Sequence, residues 1–161
     1  MKYPQTKTAK LTFSAAVVAI FIVVMYITQP ISFGPIQSRF ATGLYALPAL
    51  FPFLVVPLAI ANGFSNFMLG SFGLPDVIGG LAIGLITSGA AYLVGRFKLP
   101  MLLVIPIIIF LPGFIVPIWL SPLTGVPYPI LVLQLCLGQT PPAILGYILI
   151  RALSNIKENA Q

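Results

Sequence analysis

The sequence predicts an all-α membrane protein, a six-helix transmembrane bundle whose helices are broken by many prolines and glycines. Hydrophobic residues make up 59% of its 161 positions and charged residues only 6%, whereas about a quarter of a soluble domain is charged. The 16 prolines and 14 glycines favour kinked helices over straight rods. We therefore expect one integral membrane domain over residues 1–161, with short cytoplasmic tails at 1–10 and 153–161.

The cations lie at the ends of the hydrophobic runs or beside them, apart from Arg39. They precede the first run, occupy one short loop and follow the last run, at Lys2, Lys7, Lys10, Arg96, Lys98, Arg151 and Lys157. This is the pattern of cytoplasmic loops in membrane proteins. The formal charge of +6 is therefore attributed to membrane insertion, with no nucleic-acid partner. We expect a multi-pass protein of the cell membrane with both termini in the cytoplasm.

Four hydrophobic runs are long enough to span a bilayer, where about 20 apolar residues are needed. They cover about Leu11–Gln29, Val77–Gly95, Leu99–Trp119 and Pro129–Ala152. These runs form the first, fourth, fifth and sixth predicted helices.

The stretch 30–75 is ambiguous, and the placement of the cations resolves it. The N-terminal lysines and the loop at Arg96 are both expected inside, so an odd number of crossings must lie between Pro30 and Gly95. Three crossings fit if a short second helix spans about Pro35–Ala46 and a third about Pro48–Phe67. Six helices result.

Polar side chains from four predicted helices then fall in the outer leaflet. In a bilayer such groups face the bundle interior or a water-filled cavity. In the sixth helix the two glutamines lie about 7 and about 15 Å deep at 1.5 Å per residue. We predict an outward-facing pocket above an apolar floor, with substrate-binding candidates Gln37, Arg39, Asn62, Asn66, Asp76, Gln134 and Gln139.

Each candidate also has a purely structural interpretation. Asp76 follows Pro75 and could cap the fourth helix, or accept two N–H groups of a ligand; the two roles are compatible. Arg39 could anchor the interface, pair with Asp76 or donate to a ligand. The amides Asn62, Asn66 and Gln139 could instead join helices to one another.

Small residues predict close helix contacts at two places. Ala15 and Ala19 are four apart on the first helix, a spacing that lets helices approach closely. Gly80, Gly84 and Ser88 form a small face on the fourth helix, for which packing inside the bundle is the favoured interpretation.

Several chemistries are missing from the sequence. There is no histidine and only one cysteine, Cys136, so His/Cys metal sites, histidine triads and internal disulfides are excluded. No P-loop motif is present, and no acid lies in the middle of a span. We expect no enzyme and no cofactor in this chain, but a binding subunit energised from elsewhere.

Three stretches of the sequence resemble the queuosine-precursor transporter family. They are ISFGPIQSRFATGLYALPALFP, ANGFSNFMLGSFGLPDVIGG and LGQTPPAILGYILIRAL, within a resemblance running from about Leu11 to Leu153. Members are S-components, the substrate-binding subunits of energy-coupling factor (ECF) transporters. The resemblance implies a membrane coupling subunit with two cytoplasmic ATPases, which hydrolyse the ATP. It also implies docking through Ala15 and Ala19, and toppling of the S-component to deliver substrate.

The resemblance implies a deazaguanine base as ligand. Asp76 would accept hydrogen bonds from the adjacent N–H and NH₂ groups of the base, and Asn or Gln side chains would bond to its other edges. Aromatic rings would stack on the base, the candidates being Phe64, Phe67 and Phe72. Relatives often carry glutamate where this chain has Thr42 and Gln139. Without those carboxylates we expect a neutral base, such as the cyano-deazaguanine, rather than an aminomethyl cation.

Two other functions stay open from the sequence. A self-standing ion-coupled carrier would transport without an ATPase partner and would lose proton coupling in Asp76→Asn. A non-transporting structural membrane subunit would show no saturable binding of a small molecule.

Overall fold

The computed structural model describes residues 6–33, 36–70 and 72–158. For residues 157 and 158 it describes the backbone only. Over these residues all regular secondary structure is helical and there is no strand, which confirms the all-α prediction. The α-helices are α1 (Lys7–Ile27), α2 (Gln29–Ser32), α3 (Val55–Leu69), α4 (Leu74–Arg96), α5 (Val104–Thr124) and α6 (Tyr128–Glu158). Three 3₁₀ helices cover Phe40–Ala49, Pro52–Leu54 and Met101–Leu103. Lys2, Gly34 and Pro35 lie outside the described residues.

Five helical stretches are long and apolar enough to cross a membrane. They are Lys7–Ile27, Pro52–Leu69, Leu74–Arg96, Met101–Thr124 and Tyr128–Ile156. The four clear hydrophobic runs of the sequence and the predicted third helix are each found among them. Prolines lie inside both α5 and α6, as they often do in membrane-spanning helices.

The predicted second α-helix, Pro35–Ala46, is instead the 3₁₀ helix Phe40–Ala49, called here the 3₁₀ segment. Most of its side chains are buried among other helices. Gly43 lies so close to α6 that an added Cβ would stand 2.7 Å from the Pro142 carbonyl oxygen. The narrower 3₁₀ coil fits this crowded position, and Pro48 lies within it near its end.

The small face of α4 packs against α3, as the sequence predicted. The Ser88 hydroxyl donates to the Val55 carbonyl at 3.2 Å. At Gly84 an added Cβ would lie 2.8 Å from the Ala59 Cα, which is backbone and does not move aside easily. Residues with larger side chains would therefore separate α3 from α4.

Gly84→Ala is expected to lower the stability of the bundle by about 1–3 kcal/mol, the usual cost of overpacking. Thermal unfolding of the purified protein in detergent measures it. Gly89→Ala is the matched control on the same helix, because a Cβ there meets nothing within 4 Å. Equal unfolding temperatures for the two variants would contradict this packing.

Two hydrophobic clusters form the interior. One surrounds the 3₁₀ segment and includes Phe21, Tyr45 and Leu58. The other lies between α4, α5 and α6 and includes Ile83, Val116 and Leu135. The polar residues described next are located where the two clusters meet.

Candidate functional site

Two asparagines fix α3 to the start of α4. Asn62 and Asn66 are one turn apart and therefore share a helix face. Their side-chain amides donate to the backbone oxygens of Gly80 at 2.8 Å and Asp76 at 2.9 Å. Both asparagines are buried. Because the side-chain NH₂ groups of both asparagines are bound to α4, their Oδ1 oxygens remain available as acceptors for other groups.

Arg39 uses one of those oxygens. Its Nη1 donates to Asn66 Oδ1 at 3.0 Å, and its guanidinium lies over the Phe33 ring, 4.8 Å from the centroid. Although buried, Arg39 forms no ion pair with Asp76 in the described structure. Asn66 lies between the two, so Arg39 and Asp76 interact as opposite charges without the direct contact of a salt bridge.

Asp76 does not cap α4. The helix begins at Leu74, and the capping residue is Gly73, whose φ of 70° favours glycine. Asp76 is the third helical residue, and its side chain turns inward to Trp119, whose indole N–H donates to Oδ1 at 3.3 Å. Its other oxygen, Oδ2, is buried without a hydrogen-bond partner. The capping interpretation is therefore wrong, although a carboxylate in a first turn is still favoured by the helix dipole.

Two hydroxyls attach the chain before and within the 3₁₀ segment to α6. Thr42 Oγ1 lies 2.6 Å from Gln139 Oε1 and 2.7 Å from the Arg39 carbonyl. Ser38 Oγ donates to the Gly138 carbonyl at 2.9 Å. That carbonyl lacks its usual helical donor because residue 142 is a proline. Proline in α6 thus creates an acceptor for Ser38.

A small cavity lies at the centre of these contacts. Its polar lining is Gln37, Arg39, Thr42, Tyr45, Asn62 and Gln139, and its apolar lining is Ile83, Pro112, Val116 and Leu135. Its volume of about 20 Å³ has room for about one water molecule. Ligand pockets usually measure about 300–1,000 Å³, so a ring-sized ligand requires this cavity to expand.

Three polar atoms of the cavity lining have no hydrogen-bond partner in the described structure. They are Gln37 Oε1, Asn62 Oδ1 and the Tyr45 hydroxyl, all buried. An unpaired buried polar group costs about 1–3 kcal/mol, and a native protein usually satisfies it with a ligand or a water. The cavity therefore offers two free amide acceptors, one hydroxyl and the cation Arg39.

A family model for the QueT transporter matches residues 11–155. The chain belongs to the QueT transporter family. No match was found among curated proteins or among solved structures. Family membership confirms the resemblance noted in the sequence and makes the chain a multi-pass membrane transporter rather than an enzyme. It argues against a structural subunit without transport.

The structure of this QueT-family chain gathers most of the predicted site residues. Gln37, Arg39, Asn62 and Gln139 line the cavity. Asn66 and Asp76 do not line it, but Asn66 accepts from Arg39 and donates to the Asp76 backbone carbonyl. Gln134 is only half-buried and lies outside the lining.

Two of the three phenylalanines that were expected to stack on the ligand do not face the cavity. Phe64 is 46% exposed and Phe67 is 69% exposed, so both face outward from the bundle. Phe72 packs with Trp119 against the cluster between α4, α5 and α6. The aromatic residue at the cavity is Tyr45, which sequence reasoning missed.

Trp119 was also missed as a partner of Asp76. The sequence did carry a signal, since it is the single tryptophan of the chain, and a buried indole N–H needs an acceptor.

The predicted docking residues lie on the free face of α1. Ala15 and Ala19 are exposed, whereas Ser14, Val17, Phe21 and Met25 face the bundle. A stretch of this helix with small side chains is thus accessible from the lipid phase.

Proposed function

We propose that this QueT-family chain is the substrate-binding S-component of an ATP-driven ECF importer, and that its central cavity binds a neutral deazaguanine base from outside the cell. The observation that carries the proposal is the group of unpaired polar atoms in one buried cavity. A transporter that only passed ions would not need two free amide acceptors beside an arginine.

The hydrogen-bonding groups of the cavity suit the edges of such a base. Gln37 Oε1 and Asn62 Oδ1 accept from its N–H and NH₂ donors, and Arg39 donates to a carbonyl or ring-nitrogen acceptor. The apolar side chains Val116 and Leu135 pack on the faces of the ring. Asp76 accepts from Trp119 and positions Arg39 through Asn66. Its unpaired Oδ2 becomes a further acceptor for the ligand once the cavity has expanded.

The charge of the lining favours a neutral ligand. Arg39 is the only charged residue among those that line the cavity, so a cationic base would be repelled. Thr42 and Gln139, which stand where relatives often carry glutamate, bond to each other and add no negative charge.

Mass spectrometry of small molecules released from the purified protein tests this assignment. A neutral deazaguanine is expected to be recovered in amounts close to one per chain, and none from an Arg39→Met variant. Recovery of an unrelated compound that Arg39→Met still binds would contradict it.

The partner is an ECF coupling subunit with two cytoplasmic ATPases, which supply the ATP hydrolysis that this chain lacks. The exposed Ala15 and Ala19 on α1 support docking there, because small side chains let a partner helix approach closely.

Replacing Ala15 and Ala19 together with leucine is expected to abolish ATP-dependent uptake while leaving ligand binding unchanged. The added side chains project from the free face of α1 and hold a partner helix away without reaching the cavity. Uptake in cells and binding by the purified protein measure the two effects. Ala16→Leu, an exposed position on the same turn, is the control; unchanged uptake by the double variant would contradict docking at this face.

Six crossings with both termini in the cytoplasm follow if the 3₁₀ segment makes the second crossing. Before the segment, Arg39 bonds to Asn66, beside the first turn of α4. At its end, Ala49 lies directly against Gly95 in the last turn of α4. In a Cys136→Ser background, single cysteines placed at Lys98 and Thr124 are expected to react from opposite sides of the membrane. Labelling of both from one side would contradict this topology.

A further inference from the structure

A second cavity lies at the end of the bundle away from Asp76. It is bounded by the end of the 3₁₀ segment at Leu50, by the loop after α4 at Lys98, Leu99 and Met101, and by Ser154 of α6. Its volume of about 340 Å³ far exceeds the 20 Å³ of the central cavity. This cavity is large enough for a ligand as it stands.

The charged residues around this cavity whose side chains the structure describes are cations. Lys98 lines it, Arg96 is two residues earlier, and Arg151 is one turn before Ser154 on α6. Asp76, the only acid whose side chain the structure describes, is in the first turn of α4, whereas Gly95 of the cavity lining is in the last, about 28 Å away along the helix at 1.5 Å per residue. Lys98 therefore has no carboxylate partner in the described structure.

The loop that presents Lys98 is fixed by backbone hydrogen bonds. The Lys98 N–H donates to the Gly95 carbonyl at 3.2 Å, and the Leu99 N–H to the Val94 carbonyl at 2.9 Å. Lys98 has a φ of 53°, the left-handed conformation in which helices commonly end just after the C-cap, which here is Phe97. The backbone at Lys98 is thus fixed, and the residue is placed at the edge of the cavity.

The lining combines a cation and a hydroxyl with apolar side chains. The Lys98 ammonium and the Ser154 hydroxyl can both donate hydrogen bonds to a ligand, while Leu50, Leu99 and Met101 offer apolar surface beside them. The cavity also lies between the end of α4 and the start of α5, two membrane-crossing helices, so it is at the level of the lipid headgroups. A phosphate with acyl chains attached matches this combination better than a free anion does.

We propose that this cavity binds the phosphate of an anionic phospholipid headgroup, through Lys98 and Ser154. The apolar residues of the lining contact the first atoms of the acyl chains. Basic pockets at the ends of membrane helices commonly hold such headgroups. The inference does not depend on what the central cavity binds.

Native mass spectrometry of the full chain in detergent tests the proposal, with titration of phosphatidylglycerol and of phosphatidylcholine carrying the same acyl chains. Lys98→Gln is expected to lower the affinity for phosphatidylglycerol about fivefold, because a lysine near an anionic lipid surface contributes about that much. Ser154→Leu, which fills the cavity without changing the charge, is expected to lower it as well. Lys7→Gln is the matched control, since it removes an exposed lysine near the start of α1.

Two results would overturn the proposal. One is equal affinity for the two lipids in the unmodified chain. The other is equal loss of phosphatidylglycerol in Lys98→Gln and Lys7→Gln, which would indicate general attraction by positive charge. Glycerol 3-phosphate is titrated in parallel; binding as tight as that of phosphatidylglycerol would assign the cavity to a soluble phosphate instead of a lipid. Unchanged thermal unfolding of the variants shows that loss of binding is not loss of fold.

Discussion

Arg39→Met is expected to lower the affinity for a neutral deazaguanine base about 10- to 100-fold. A hydrogen bond to a charged group contributes about 1.5–3 kcal/mol, and about 1.4 kcal/mol corresponds to a factor of ten. Arg39 is the only charged residue of the cavity lining and is held in place by Asn66 Oδ1 and the Phe33 ring. Isothermal titration calorimetry of the purified chain measures the change.

Arg39→Lys separates the charge from the geometry of the guanidinium. Lysine keeps the positive charge but cannot donate to Asn66 and a ligand through one planar group, so an intermediate affinity is expected. Arg96→Met is the control, because it removes an arginine from the opposite end of α4. An affinity in Arg39→Met equal to that of the unmodified chain would exclude Arg39 from the binding site.

Gln139→Glu is expected to change the ligand preference from the neutral base toward an aminomethyl base, by about 10-fold or more in the ratio of affinities. The substitution keeps the shape and the oxygen that accepts from Thr42. It reduces the formal charge of the cavity lining from one to zero, and a charge-assisted hydrogen bond to the aminomethyl group becomes available. Titration of each variant with both bases gives the ratio.

Gln134→Glu is the matched control for this change. Gln134 lies on the same helix, yet it is only half-buried and does not line the cavity. Its replacement adds the same negative charge without placing it next to the ligand, so the ratio of affinities should stay unchanged. If both glutamates changed the ratio equally, the effect would come from the overall charge of the protein and not from the cavity.

Hydropathy and the positions of the cations predicted most of the fold, because long apolar runs must be helical in a bilayer. They did not predict the 3₁₀ segment. Whether a short apolar stretch coils as α or 3₁₀ depends on the space between its neighbours, here the close approach of Gly43 to Pro142. Hydropathy alone does not carry that information.

The sequence also predicted only part of the site, because hydropathy does not give the direction of each side chain. Rare polar residues in an apolar chain must face the interior, which identified Arg39, Asn62 and Gln139 without any coordinates. The direction of a particular side chain depends on helix rotation, and a one-residue error in a helix start turns a side chain by about 100°. The fourth helix was expected to begin at Val77 and begins three residues earlier, at Leu74, which is why Asp76 was weighed as a cap. Phe64 and Phe67 were named without knowledge of which face of α3 is buried.

The small volume of the central cavity has a consequence for binding. About 20 Å³ does not admit a purine-sized ring, so α5 or the segment around Arg39 must move before ligand enters. Pro112, which lines the cavity, leaves the Ile108 carbonyl without its helical donor, and α5 is therefore weakened next to the site. Binding is expected to widen the bundle at this point.

A structure of the chain with a neutral deazaguanine base bound is the most direct test of a ligand site formed by these polar residues. We expect the ring in an expanded central cavity, within hydrogen-bond distance of Asn62 Oδ1, Gln37 Oε1 and the Arg39 guanidinium. A base located on the outer surface of the helices, or at the far end of α4 beside Lys98, with the central cavity still closed, would contradict it.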